Sequence, residues 1–303
     1  MALPSTEQLH PDAARLSPGD LATSARALAE GQIKAAAAVR DAEDNIVRGA
    51  KAMAETMRAE GILHFVAAGS SGLMAAADAQ ELGGTFSIPP ARLRIHMAGG
   101  LPTGVEMPGG AEDATEGLEQ ALDSLQAKDT VIAVSASGST PYTVAAMNIA
   151  RTKGATVISI ANNGGSPLLL GADIPILLAT PPELISGSTR MGAGTAQKIA
   201  LNMLSSLMAV ELGHVHGGMM VNLRADNDKL RGRAAGIVAR IAEVDTETAQ
   251  NALNVAHGDV KPAILIAAQD LSLAQADARL RTTNGVLTAA LAKDQQLNNG
   301  RER

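Results

Sequence analysis

Residues 130–140 read TVIAVSASGST. Five apolar or β-branched residues run without interruption and stop at a cluster of hydroxyls and glycine. An amphipathic helix or a half-exposed strand would alternate polar and apolar positions, whereas this run is apolar on both faces, as a strand covered from both sides must be. Four more runs share the pattern: ILHFVAAG at 62–69, LRIHM at 93–97, ATVISIAN at 155–162 and DIPILLAT at 173–180. Each is bounded by Gly, Pro, Asp or Asn, and segments of helical character separate most of them. Short buried strands alternating with helices define an α/β domain with a doubly wound parallel sheet of five strands between two helical layers.

Upstream, Ser17-Pro18-Gly19-Asp20 reads as a break followed by an acidic residue suited to open a helix. From about Pro18 to Glu60 the chain is rich in Ala, Glu, Arg and Met, with Ile33, Ala37, Val47, Met53 and Met57 at helical spacing, which predicts one long helix. Beyond Asn222 strand signals cease. DNDKLRGRAAGIVARIA, DTETAQNALNVA, KPAILIAAQ and LAQADARLRTT predict four short helices, the second capped by Asp245 or Thr246, and the polar end LAKDQQLNNGRER is expected to fray. The predicted organisation is an N-terminal helical segment over 1–50, a sheet domain over 51–222 and a small helical domain over 223–303.

Composition excludes several classes. The chain has two Phe, one Tyr and no Trp among 303 residues, so it lacks the aromatic platforms on which single-stranded nucleic acids stack. Its formal charge is -6 and no basic block stands out, which argues against a nucleic-acid partner. The absence of cysteine excludes disulfides, thiolate metal sites and cysteine nucleophiles. No secretory h-region and no stretch of 18 apolar residues occurs, so a cytoplasmic protein with no membrane partner is expected.

The chemistry-bearing residues gather in three loops. Gly69-Ser70-Ser71-Gly72 follows the first strand, and Ser135-Ala136-Ser137-Gly138-Ser139-Thr140 follows the third. A helix opening at the carboxyl end of a parallel strand offers backbone N–H groups and a positive dipole end, and hydroxyls add donors, so phosphate or another anion fits. Turn formation and capping are the plainer use of the same residues. Neither loop has the pattern of a nucleotide P-loop or a dinucleotide fingerprint. The third cluster, Glu183 to Arg190, precedes a long apolar helix that Ser188 or Thr189 can cap; Arg190 near that cap opposes the dipole and calls for a partner or ligand. Glu81 and Glu112 lie close to these loops in sequence, though a lone glutamate is ordinarily a solvated surface residue. His214 and His216 would share one face of a strand but have no evident third ligand, so no metal site is expected. His64 and His96 read as hydrogen-bonded core residues, and His10 and His257 as surface or loop positions.

Taken together, HPDAARLSPGDL, AAGSSGLMAAADAQE, GGAEDATEG, SASGSTPYTV, GSTRMGAGTAQKIALNML and LRADNDKLRGR resemble the N-acetylmuramic acid 6-phosphate etherase family, a branch of the sugar isomerase (SIS) domain proteins. The resemblance runs through nearly the whole chain. It implies a SIS-type sandwich, a carbon–oxygen lyase that eliminates D-lactate from C3 of the amino sugar and then adds water, no cofactor, and a homodimer with sites at the subunit interface. It assigns the acid/base pair to Glu81 and Glu112. It places Ser70, Ser71, Gly72, Ser135, Ser137, Ser139, Thr140, Glu183, Ser188 and Arg190 around a sugar or sugar phosphate. Leu73, Ser139 and Gly192 stand where the family usually carries cations, which implies a less anionic substrate. An aldose–ketose isomerase or epimerase, and a non-catalytic sugar-phosphate sensor, are the alternative readings.

Overall fold

Asp20 opens the first helix by accepting a hydrogen bond from Thr23 N, 2.9 Å away. The computed structural model describes residues 3–107, 110–223, 225 and 228–292. The C-terminal stretch expected to fray lies almost wholly outside them, as do Gly109 of the GGAED motif and Arg224, Asp226 and Asn227 of LRADND. Helix α1 covers Leu21–Ala37 and α2 covers Glu43–Arg58. The single helix expected from Pro18 to Glu60 is therefore broken. A 3-10 turn at Arg40–Ala42 intervenes, and Glu43 and Asp44 behind it place negative charge where a new helix N-terminus favours it.

The five apolar runs form β1 (Leu63–Ala67), β2 (Leu93–Met97), β3 (Thr130–Ser135), β4 (Thr156–Ala161) and β5 (Ile174–Leu177). All pair in parallel, in the order β2-β1-β3-β4-β5, with Leu63 opposite Thr130 and Thr130 opposite Thr156. Between and after them run α3 (Gly69–Phe86), α4 (Leu118–Ala121), α5 (Pro141–Thr152), α6 (Pro167–Gly171) and α7 (Gly192–Glu211). One sheet face, through Val66, Val131, Ala133 and Val157, packs on Leu118, Leu122, Ala146, Met147 and Ala150. On the other face α2 comes so close that a β-carbon on Gly49 would stand 2.7 Å from Leu204 and 3.5 Å from Ile158. Small residues replace aromatic bulk here: the helices approach the sheet closely because Ala and Gly line the contacts.

The chain divides into two compact units, one of residues up to Gln80 with Pro90–Leu207 and the other of Glu81–Pro89 with the residues from Met208 onward. The first holds the sheet. In the second, β6 (Val215–His216) pairs antiparallel with β7 (Met219–Met220) through Gly217 and Gly218, both at positive φ, as a two-residue hairpin demands. The four expected helices follow as α8 (Asp228–Ala242), α9 (Thr246–Val255), α10 (Val260–Gln269) and α11 (Leu273–Thr282), with a short α12 (Leu287–Ala292) added. Asp245 caps α9 through Thr248 N, and Ser272 with Gln275 forms a capping box on α11. Val238, Ala249, Ala263, Ile264, Leu265 and Ala276 form the apolar centre of this unit. No described helix is long and apolar enough to cross a membrane.

Candidate active site at the switch point of the sheet

From β1 the chain moves outward to β2 and then returns past β1 to β3, so the winding direction reverses between β1 and β3. In open parallel sheets the crevice outside the carboxyl ends of the strands at such a point is where ligands bind. The loops after β1 and β3 flank it, and these are the two Ser/Gly loops.

The second loop is a linked set of hydroxyls. Ser135 Oγ, on a residue only 3% exposed, lies 2.8 Å from Thr140 Oγ1 and 3.3 Å from Ser137 Oγ, and accepts a bond of 3.0 Å from Gly138 N. Ser137 Oγ accepts from Ser139 N at 3.2 Å and from Ser139 Oγ at 3.1 Å. Gly138 has φ +70°, and a β-carbon there would stand 2.1 Å from Ser166 Oγ, so only glycine fits the turn. Thr140 then serves as N-cap residue for α5, with Pro141 in its first turn.

In the first loop, Gly69 begins α3 at φ +55°. A β-carbon at Gly69 would lie 2.5 Å from Glu112 Oε1. The carboxylate of Glu112, carried on a 3-10 turn at Ala111–Asp113, thus packs against the first residue of a helix, where the dipole favours negative charge. Ser70 is half-buried and Ser71 buried in the first turn of α3. Gly72 admits Met97 of β2, which would stand 2.9 Å from a β-carbon there. Glu81 is exposed on α3, twelve residues past Gly69 and therefore about 18 Å further along the helix. Sequence proximity to the loop does not place it beside Gly69. Between the two, Asp78 is buried and accepts from Asn202 Nδ2 at 2.7 Å and Ser205 Oγ at 3.0 Å, tying α3 to α7.

In the third cluster the capping role falls to neither Ser188 nor Thr189. Glu183, 6% exposed, accepts from Gly192 N at 3.0 Å and Ala193 N at 2.8 Å, one bond to each carboxylate oxygen. A carboxylate engaged by two N-terminal amides of a 20-residue helix satisfies both the orphan donors and the dipole, which a neutral hydroxyl does only in part. Gly192 lets Ala35 approach, since a β-carbon there would lie 2.9 Å from the Ala35 methyl. Ser188 is half-buried and Arg190 exposed.

Residues that the sequence did not single out complete the cluster at the strand ends. Asn162, directly after β4, donates to Leu178 O at 3.1 Å and Thr180 Oγ1 at 3.2 Å, and accepts from Gln197 Nε2 of α7 at 3.0 Å. Asn163 joins the N-terminal segment to the second loop. A cavity of about 720 Å³ opens beside Ser137 and Ser139, lined also by residues 3–5, the 162–167 turn and Thr180. The Asn-Asn-Gly-Gly turn after a strand was the available signal in the sequence.

The strongly perturbed histidines lie elsewhere. His64, second in β1 and thus at the opposite end of the strand from the loop, stands 3.0 Å from His96 Nε2 and 3.7 Å from buried Asp129. Burial, followed by the neighbouring His96, pushes its pKa down to about 4, against the opposing pull of Asp129. His10 is buried rather than on the surface, and its Nδ1 accepts from Asp12 N, closing a turn. His216 Nδ1 lies 3.1 Å from Thr288 Oγ1, and among the described residues no group of three or more potential ligands could hold a metal.

Residues 29–162 match the family model of the SIS domain. In fold the chain is similar to a candidate sugar-phosphate isomerase of Listeria monocytogenes, with TM-score 0.51 and 16% identity over 65% of this chain and 93% of that one. In sequence it is 41% identical to N-acetylmuramic acid 6-phosphate etherase of Deinococcus radiodurans, over 96% of both chains. It is 38% identical to the protein of that name in Rubrobacter xylanophilus, over 95% of this chain and 96% of the relative. A parallel sheet with hydroxyl-lined loops at its switch point is the framework of a SIS-domain protein. The chain belongs to the N-acetylmuramic acid 6-phosphate etherase family.

Proposed function

We propose that the protein is a carbon–oxygen lyase that cleaves the D-lactyl ether of N-acetylmuramic acid 6-phosphate or a closely related sugar derivative. The observation that carries this reading is the Glu112 carboxylate seated against Gly69, beside the hydroxyl-lined loops of the switch point. Ring opening exposes an aldehyde at C1 and makes the C2 proton acidic. A carboxylate removes that proton, the C3–O bond breaks, and lactate leaves with a proton supplied by an acid. Water then adds at C3 of the unsaturated aldehyde. Glu112 supplies one carboxylate, and Glu81 supplies the other by sequence correspondence. Ser70, Ser71, Gly72, Ser135, Ser137, Ser139 and Thr140 hold the sugar or its phosphate through hydroxyls and backbone amides, and Ser188 and Arg190 add an anion contact. Glu183 acts by fixing α7.

A homodimer fits this assignment. Glu81 is exposed and more than three turns from the loop, which supports a site completed by a second copy. An open groove of about 400 Å³ along α7, lined by Ile199, Met203 and Leu207 with Lys198, Asn202 and Ser206, supports an apolar face for that copy. The test is incubation with N-acetylmuramic acid 6-phosphate in heavy water, followed by NMR. Release of D-lactate with deuterium at C2 is expected. Deuterium without lactate would make the protein an isomerase or epimerase, and neither signal would remove the lyase reading.

A further inference from the structure

Asn163 is 8% exposed and uses its side-chain amide on both sides. Its Oδ1 accepts from Ser5 Oγ at 2.8 Å and from Thr6 N at 3.4 Å. Its Nδ2 donates to Thr6 Oγ1 at 2.9 Å and to Ser137 O at 3.3 Å. One amide thus joins the N-terminal segment to the backbone of the hydroxyl loop. Thr6 is 3% exposed, and Ser186 Oγ adds bonds of 3.4 Å to Glu7 O and Gln8 O from the third cluster. The segment held in this way is a wall: Leu3, Pro4 and Ser5 line the cavity of about 720 Å³ together with Ser137 and Ser139. The whole lining is uncharged. It offers hydroxyls, amides and glycine backbone, and Ser166 within it is 7% exposed with no hydrogen-bond partner for its Oγ among the described residues.

We propose that Asn163 and Thr6 form a latch that holds residues 3–5 as the outer wall of the substrate cavity, so that the N-terminal segment sets affinity for the uncharged, hydroxyl- and amide-bearing part of the sugar. The residues act by positioning; neither is a catalytic residue. The chemistry of the latch is specific. An Asp at 163 would turn the two donors into an acceptor facing Thr6 Oγ1 and Ser137 O, and a Val at 6 would remove the hydroxyl at constant volume. A contact made equally in ground state and transition state shows in KM with kcat unchanged, and that is the signature expected of a wall that binds without taking part in the chemistry.

This inference rests on the lyase reading for its kinetic arm only. With N-acetylmuramic acid 6-phosphate as substrate, Thr6→Val and Asn163→Asp are expected to raise KM about tenfold or more with kcat within threefold, and Thr6→Ser, which keeps the hydroxyl, to restore KM. Unchanged KM in both variants would overturn the latch, as would a fall in kcat at constant KM. A second measurement needs no substrate. Leu3→Trp gives the chain its only tryptophan, and its fluorescence anisotropy should fall when Thr6→Val is added. Equal anisotropy with and without Thr6→Val would overturn the latch even if the wild-type protein releases no lactate, an outcome that would by itself count only against the lyase reading.

Discussion

Gly69 and Glu112 share one space: the position of a β-carbon on the glycine is 2.5 Å from the Oε1 of the glutamate, and the glycine has a left-handed φ of +55°. Gly69→Ala must therefore displace the carboxylate and strain the backbone together. The conformational part alone costs about 1–2 kcal/mol. We expect stability to fall by roughly that amount and lactate release to fall about 100-fold or more, since displacing a catalytic group by an ångström has such effects. Thermal melts read the first and lactate assays the second. A variant with full activity would show that Glu112 does not work from this position.

Glu183 caps α7 with both oxygens. Glu183→Gln keeps the shape but removes the charge and turns one acceptor into an NH2 facing a backbone amide. The helix should lose about 1–2 kcal/mol, as N-caps and partly buried dipole partners do. Urea unfolding checks this, and an unchanged midpoint would mean that the amides find other acceptors.

His64 makes the sheet acid-sensitive. Its folded pKa is about 4 against an ordinary value of 6.5, so between those limits the unfolded chain binds the proton that the folded one refuses. Stability is whole above pH 6.5 and declines as the pH falls toward 4, by an amount on the order of 3 kcal/mol if His64 acts alone. His214, held near 4 by burial and then by the Lys261 charge, acts in the same direction. Urea midpoints at pH 7 and pH 4.5 should differ, and the difference should shrink in His64→Gln. Identical slopes in the two proteins would remove His64 as the cause.

Lys261 presents the opposite end of the pH scale. Burial lowers its pKa to about 8, while its Nζ donates to Gly285 O at 2.9 Å. Between pH 8 and the unfolded value near 10.5 the unfolded chain holds the extra proton, so this residue makes stability rise as pH increases through that window. Lys261→Met exchanges a desolvated ammonium and one hydrogen bond for an apolar chain, and at pH 7 should change stability by less than about 1 kcal/mol. Its urea midpoint should also lose the upward trend above pH 8. A loss of several kcal/mol at pH 7 would show that the bond to Gly285 outweighs the desolvation.

The sheet was legible because its inner strands are buried on both faces and so write near-continuous apolar runs, as Val131 to Val134 do, whereas the edge strand β2 is half-buried and carries an exposed Arg94. Asp20 and Asp245 were legible for a related reason: a cap residue contacts an amide three positions away, within the reach of a sequence pattern. What failed to show was long-range. Glu183 reaches amides nine and ten residues on, in competition with the nearer Ser188 and Thr189, and charge decides the outcome. The break at Arg40–Ala42 carries only a weak local signal, the acidic Asp41, Glu43 and Asp44, set in an Ala-rich stretch that otherwise favours helix. His10 is buried by its surroundings, not by its neighbours in sequence. Asn163 meets Thr6 across 157 residues, a separation that leaves no periodicity to read.

That separation has a consequence for how the protein comes into being. During synthesis Asn163 is polymerised 157 positions after Thr6. At about 5–20 residues per second the segment waits on the order of ten seconds or more without its partner. The latch closes only once Asn163, two residues past the end of β4, has been made.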